Sequence, residues 1–234
     1  MHYKDDNTFQ RYLLMACVGE YSAIELMRPY GHEFELSGLG AGSYDIFKDV
    51  RLKAKRTADL RCRHCGRKLE VRAKSHLAIR MSHSTRRPFY DELAPEDWVG
   101  FVRVVDSGSA GNQTRLESFS RPSAIYVIRV SELTEKMALA SYSEPKDARQ
   151  GSERILTWPA LLSPIDGTIA SFRRDPSGVE VTTARGRSMI LTPPAGSYLY
   201  NGIRPGHAVH ARETLICGVA KTLSSGELKC PSRT

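Results

Sequence analysis

Hydrophobic residues recur every three or four positions between residues 7 and 30, which is the spacing of one face of an α-helix. Glu20 lies in the middle of this stripe, which is otherwise formed by Phe9, Leu13, Ala16, Ile24 and Met27. Gly31 follows as a helix stop, because glycine readily takes the left-handed conformation that ends helices. The pattern therefore predicts an amphipathic helix over residues 7–30 with one carboxylate on its apolar side.

The pattern changes to alternation between residues 56 and 75, which read RTADLRCRHCGRKLEVRAKS. Residues 57–61 and 68–74 are predicted to form two antiparallel strands. The tight turn between them is Cys62–Gly66, a Cys-x-x-Cys-Gly sequence. We expect this hairpin to pack against the helix of residues 7–30.

One face of the predicted hairpin carries charged side chains. Because side chains alternate between the two faces of a strand, Glu70, Arg72 and Lys74 share a face. Asp59 lies on the partner strand, where it can come within reach of Glu70. Carboxylates beside cations are typical of a site that binds a metal ion and a phosphate rather than of a core.

Further strands are predicted where β-branched and aromatic residues cluster, at 32–37, 77–81, 98–105 and 124–130. Ser131 is predicted to cap a second helix that includes residues 136–140. We expect residues 1–142 to form one mixed α/β domain.

The second half of the chain has a different character. Residues 143–152 are polar and predict a linker. Glycine, proline and short β-forming runs then dominate residues 153–234, which predicts an all-β domain.

The composition favours a polyanionic partner, because the formal net charge is +8 and the pI is near 9.3. The chain has no apolar run of transmembrane length, and its first residues do not form a signal peptide. The five cysteines are an odd number, which favours a reducing compartment over a disulfide framework. We therefore expect a cytoplasmic protein without a membrane partner.

The hairpin resembles the site of PD-(D/E)XK nucleases, the restriction-endonuclease-like superfamily, and the resemblance extends over roughly residues 7–142. It implies that Asp59 and Glu70 hold a divalent ion, Mg²⁺ or Mn²⁺. Many members also carry a glutamate on the first helix, which implies a site role for Glu20. A rim glutamate paired with an arginine is the alternative for this residue.

The hairpin departs from the family pattern at two positions. Ala58 stands where the family has proline, and Arg72 stands where it has lysine. Lys74 lies on the same strand face, so it is the candidate for a displaced catalytic lysine, with Arg72 as the other choice. Asp45 is the main rival to Asp59 as the metal-binding aspartate.

Two segments of the second half resemble the barrel-sandwich-hybrid fold of lipoyl and biotinyl domains. These segments are WPALLSPIDGTI at residues 158–169 and GIRPGHAVHARETLICG at residues 202–218. The carrier lysine of those domains is missing, so the resemblance implies a fold and no carrier function.

Cys62 and Cys65 have the spacing of a zinc-binding turn. They supply only half of the four ligands of a structural zinc. Two interpretations stay open: a zinc ion completed by further ligands, and a metal-free turn in which the small side chains pack. His76 and His83 are candidate ligands without a recognisable spacing.

Together these features predict a divalent-metal-dependent DNA endonuclease. The resemblance to the nuclease superfamily suggests restriction or antiphage defence, with other subunits of a defence complex as partners. The alternatives are an inactive nuclease fold kept for DNA binding or assembly, and a zinc-ribbon-like adaptor.

Overall fold

The long amphipathic pattern at the start of the chain forms helix α1, Asp6–Met27. A 3₁₀ turn, Arg28–Tyr30, follows and ends at Gly31, whose φ of 82° lies in the left-handed region. The predicted helix and its glycine stop are therefore confirmed. The computed structural model describes residues 6–37, 58–85, 88–107, 116–143, 154–174 and 177–233.

A five-stranded sheet follows α1. Its strands are β1 (Phe34–Leu36), β2 (Leu60–Cys62), β3 (Lys68–Lys74), β5 (Trp98–Arg103) and β6 (Tyr126–Arg129), and they lie in the order β1-β2-β3-β5-β6. Neighbouring strands are antiparallel except for β3 and β5, which run parallel. In the hairpin, Leu60 lies opposite Leu69 and Arg61 opposite Lys68. The predicted antiparallel hairpin is therefore present, and β2 begins at Leu60.

One face of this sheet packs against α1. Leu69 and Val71 are buried on β3, as are Trp98 and Val102 on the adjacent β5. Gly19 of α1 lies directly over this surface, beside Ala73. The apolar positions of the hairpin thus form the core, as alternation predicted, and the charged positions lie on the other face.

The remaining elements are shorter. The second helix, α2, is Val130–Glu135 and is followed by a 3₁₀ turn at Met137–Leu139. Strands β4 (Arg80–His83), β7 (Ser141–Ser143) and β8 (Arg154–Thr157) form one sheet in the order β4-β8-β7. The predicted strand at residues 77–81 is therefore displaced to β4.

Two further sheets are built from the second half of the chain. One has the order β12-β11-β10-β14, with β10 Gly167–Arg174, β11 Ser177–Thr182, β12 Ser188–Leu191 and β14 Ala208–Val209. The other has the order β13-β15-β9, with β9 Ala160–Leu162, β13 Tyr198–Leu199 and β15 Leu215–Gly218. Their shared core contains Ile169, Val179, Val181, Leu191, Val209, Ile216 and Cys217.

The chain divides into two compact units that alternate along the sequence. The first comprises residues 1–76, 92–130 and 225–234, and the second comprises residues 77–91 and 131–224. The predicted domains, residues 1–142 and 153–234, stay a prediction, because the proposed linker, 143–152, lies almost wholly outside the described residues.

The secondary structure is mixed, with many strands and few helices, which agrees with the predicted α+β class. In the described ranges after residue 153, strands are accompanied by a single short 3₁₀ turn, Pro231–Arg233. No helix in the described part of the chain is long and apolar enough to cross a membrane.

Candidate functional site

Asp59 immediately precedes β2, and its carboxylate accepts a hydrogen bond from β3 beyond the last backbone pair of β2 and β3. Because β2 begins only at Leu60, the backbone N–H of Val71 has no partner on that strand. The carboxylate of Asp59 takes this place, and the N–H donates to Oδ2 at 2.8 Å. A side chain thus continues the ladder where the backbone pairing stops.

Glu70 and Arg72 lie two residues apart on the same face of β3 and form an ion pair. Nη2 of Arg72 donates to Oε1 of Glu70 at 2.6 Å. The Glu70 side chain is 17% exposed and that of Arg72 is 31% exposed. This pair is therefore shielded from water more than an ordinary surface pair, and Arg72 offsets the charge of Glu70.

Glu20 is 4% exposed and lies on α1. Burial, the Glu70 carboxylate and the Glu20 carboxylate raise the pKa of Asp59 to about 8, while the Val71 N–H and Arg72 act in the opposite direction. Glu70 on β3 and Glu20 on α1 therefore both act on Asp59. Gly19 permits this, because its missing side chain lets α1 lie close to β3.

A second group lies at the turn of the hairpin. One nitrogen of His32 and the sulfurs of Cys62, Cys65 and Cys230 all lie within 4.8 Å of one another. In the part of the chain that the structure describes, this is the one group of three or more such side chains close enough to share a metal ion. Glu20, Asp59 and Glu70 are coupled through charge but do not form such a group in this conformation.

The turn between β2 and β3 holds its cysteines by backbone hydrogen bonds. Gly66 donates its N–H to the Cys62 carbonyl at 2.9 Å, and its φ of 72° requires a residue that tolerates the left-handed region. The Cys62 N–H donates to the Arg67 carbonyl at 2.9 Å, which closes the hairpin. Burial raises the pKa of the Cys65 thiol to about 12.

His32 is fixed in a single orientation. Its ring stacks on Phe34 at a centroid distance of 5.0 Å and meets the edge of Trp98 at 5.1 Å. Nε2 is 2.9 Å from the Leu228 carbonyl oxygen, and Nδ1 is 3.7 Å from the sulfur of Cys65. Burial lowers the pKa of His32, which favours the neutral imidazole.

The structure thus relates the predicted site residues in two groups. Glu70, Glu20 and Arg72 each act on Asp59 through charge, Arg72 also pairs with Glu70, and Lys74 lies on the Glu70 face of β3. Asp45, the rival aspartate, lies outside the described residues. The second group, His32, Cys62, Cys65 and Cys230, is called the thiol cluster. It includes the predicted ligands Cys62 and Cys65, but the candidate ligands His76 and His83 do not belong to it.

Two members of the thiol cluster were missed by sequence reasoning. Neither His32 nor Cys230 is among the ligands predicted from the sequence. Their one sequence signal is indirect: a Cys-x-x-Cys turn lacks two ligands, so any other cysteine or histidine is a candidate. Cys217 instead belongs to the core of the second unit.

Comparison of the chain with protein-family models, with curated proteins and with solved structures finds no match. The function is therefore inferred from the site residues themselves.

Proposed function

We propose that this protein is a DNA endonuclease that uses a divalent metal ion, Mg²⁺ or Mn²⁺, held by Asp59 and Glu70 with help from Glu20. The observation that carries the proposal is the coupling of these three carboxylates around Asp59, beside the guanidinium of Arg72. Buried acids that face one another are costly in a protein without a function for them, because each disfavours the ionised form of its neighbours. Such groups are therefore candidates for a working site.

The arrangement of elements supports the finer fold assignment. An N-terminal helix packs on a sheet in which β1, β2 and β3 form an antiparallel series. The acids lie on α1, just before β2 and on β3. A restriction-endonuclease-like core would have its acids on these elements, and the predicted all-β domain, residues 153–234, would then bind nucleic acid or a partner protein.

The donor set fits a hard cation in its chemistry. Mg²⁺ and Mn²⁺ prefer carboxylate oxygens and keep several water ligands, so two or three acids are sufficient. A bound ion would supply Lewis-acid polarisation of the phosphate and a more acidic water molecule. In this structure Oε1 of Glu70 is instead paired with Arg72.

The cations of β3 have distinct roles in this proposal. A guanidinium group is a poor proton carrier, so Arg72 binds phosphate as a fixed charge and does not transfer protons. Lys74 lies two residues further along the same face and would contact the phosphate and the attacking water. The net charge of +8 adds a general attraction to DNA that decreases with salt.

The test is a cleavage assay on plasmid and linear DNA with Mg²⁺ or Mn²⁺. We expect Glu70→Gln to lower the rate at least ~100-fold, a loss comparable to removing one strong electrostatic stabiliser. Glu25→Gln is the matched control, because Glu25 is an exposed acid on α1 that pairs with Arg28. Circular dichroism establishes that each variant is folded. Wild-type activity in Glu70→Gln would overturn the catalytic proposal.

The ion pair of Arg72 with Glu70 favours one alternative, an inactive nuclease fold that binds DNA. In that case the guanidinium takes the place of a metal ion and stabilises the acid permanently. Wild-type protein that binds DNA in the presence of a chelator and cuts under no divalent metal would establish this alternative.

A further inference from the structure

We propose that His32, Cys62, Cys65 and Cys230 bind one structural zinc ion that joins the C-terminal segment, residues 225–233, to the β2–β3 turn. All four ligand atoms lie within 4.8 Å of one another. Zinc–sulfur bonds of about 2.3 Å in a tetrahedral site place sulfurs roughly 3.8 Å apart, so a small inward adjustment completes the site. All four residues belong to the first unit, and the inference is independent of the proposed nuclease activity.

The chemistry of the donors selects the metal. Three thiolates and one imidazole form a Cys₃His set, which is typical of structural zinc, whereas soft thiolates disfavour Mg²⁺ and Ca²⁺. Four protein ligands fill a tetrahedral site, so no position is left open for water or substrate. His32, Cys62 and Cys230 are each 3% exposed or less, and Cys65 is partly exposed. A closed set of four protein ligands indicates a structural role rather than a catalytic one.

The hydrogen bond of His32 prepares its other nitrogen for the metal. Because Leu228 offers a carbonyl oxygen, Nε2 must carry the proton and donate. Nδ1 then has a free lone pair, and it is the nitrogen that faces the sulfur of Cys65. Metal-bound histidines usually donate their second N–H to a carbonyl or carboxylate in this way.

The cysteine turn supports the same assignment. Backbone N–H groups of Cys65, Glu33 and His64 donate to the sulfur of Cys62, and the N–H of Arg67 donates to that of Cys65. Such donors stabilise sulfur that carries negative charge, which is the form that binds zinc.

The fourth ligand is supplied by a segment that is already docked on the first unit. The Cys230 N–H donates to the Tyr30 carbonyl at 2.9 Å, and the Ser232 hydroxyl donates to the His64 carbonyl at 3.2 Å. Arg129 pairs with Glu227 at 2.9 Å. These contacts bring Cys230 to the turn, and zinc would then fix the segment in place.

The first experiment measures metal content in the full chain, purified without chelators, by elemental mass spectrometry. We expect one zinc per chain in the wild type and a zinc affinity at least ~100-fold weaker in Cys230→Ser and in Cys62→Ser. Cys17→Ser is the matched control, because Cys17 lies on α1 and does not belong to the cluster. Wild-type affinity in Cys230→Ser would overturn the four-ligand site.

The second experiment uses only the wild-type protein, so its result does not depend on whether a variant folds. Titration of the metal-free wild type with Co²⁺ should give one equivalent with the strong visible absorption of a tetrahedral thiolate site, and Zn²⁺ should displace it. Weak absorption of octahedral cobalt would overturn the proposal. So would a Cys65–Cys230 disulfide found by mass spectrometry in freshly purified protein, because it would consume two of the ligands.

Discussion

Gly19 on α1 lies against Ala73 on β3 so closely that a Cβ atom added at residue 19 would be 2.7 Å from the Ala73 Cβ. The same atom would be 3.3 Å from Cγ2 of Val102. The distance between helix and sheet is therefore set by the absence of a side chain. Glu20 is the next residue, so this distance also determines how near its carboxylate lies to Asp59.

We expect Gly19→Ala to move α1 away from the sheet, because both contacts are with side chains held in a packed core. The overpacking should lower the free energy of unfolding by about 1–3 kcal/mol, although alanine itself favours the helix. Urea unfolding measures this loss. Cleavage by the folded variant should also decrease, and unchanged stability would show that the helix can adjust freely.

Asp59→Asn should stabilise the protein in magnesium-free buffer while abolishing cleavage. The pKa of Asp59 is raised from its ordinary value of 3.8 to about 8, so the folded state holds a proton that the unfolded state releases above about pH 4. Stability of the wild type therefore falls as pH rises from about 4 to 8. Asparagine removes this dependence and keeps an oxygen for the Val71 N–H. Urea unfolding at pH 5 and pH 8 should give a variant advantage of at least about 1 kcal/mol that grows with pH.

Asp97, unlike Asp59, is an acid with a structural role. It is 6% exposed, and its two oxygens accept the N–H of Lys68 at 3.0 Å and of Ala94 at 2.9 Å. Asp97→Ala leaves both donors without this partner, so we expect a loss of about 2–3 kcal/mol in the free energy of unfolding. Thermal and urea unfolding measure it. A stabilising effect would contradict the distinction drawn between Asp59 and Asp97.

Substitutions of the two cations of β3 should affect DNA binding and the cleavage rate differently. Lys74→Ala should lower the cleavage rate at least ~100-fold if this lysine stabilises the reacting phosphate. Arg72→Ala should weaken DNA binding more than it lowers the rate, because a guanidinium serves as a fixed phosphate-binding charge. Binding and single-turnover cleavage assays distinguish these effects. A larger rate loss in Arg72→Ala than in Lys74→Ala would assign the catalytic cation to Arg72.

Stepwise chelation should reveal two metals with different roles. A strong chelator removes both metals, so the protein should lose its cleavage activity. Its melting temperature should also fall by roughly 10 °C, because removal of a tightly held zinc lowers the free energy of unfolding by about 3–4 kcal/mol. Zinc alone should restore the melting temperature, and cleavage should return only when Mg²⁺ is added as well. Full thermal recovery with Mg²⁺ alone would contradict a structural zinc.

The local parts of the fold were accessible from the sequence. The hairpin of β2 and β3 was predicted because its alternation and its Cys-x-x-Cys-Gly turn lie within one short stretch. Strands near β5 and β6 were found from their β-branched and aromatic residues. The helix α2 is shorter than predicted, because its final residues form a 3₁₀ turn at Met137–Leu139 instead.

The residues that sequence reasoning missed are those brought together by tertiary structure. His32 joins the thiol cluster only because the chain turns at Gly31 and the Leu228 carbonyl orients its ring. Cys230 reaches the cluster with the help of a hydrogen bond to Tyr30, which is far away in sequence. Neither relationship leaves a spacing that a sequence pattern can reveal.

The position of Cys230 in the sequence affects when the first unit can finish folding during synthesis. Residues 131–224 of the second unit leave the ribosome before Cys230, although Cys230 belongs to the first unit. Domains usually fold in the order in which they are made, at about 5–20 residues per second. Here the first unit cannot be completed on that schedule: until residues 225–233 are made, His32 and the two turn cysteines form an unfinished site. Zinc capture by all four ligands would therefore follow the synthesis of the second unit.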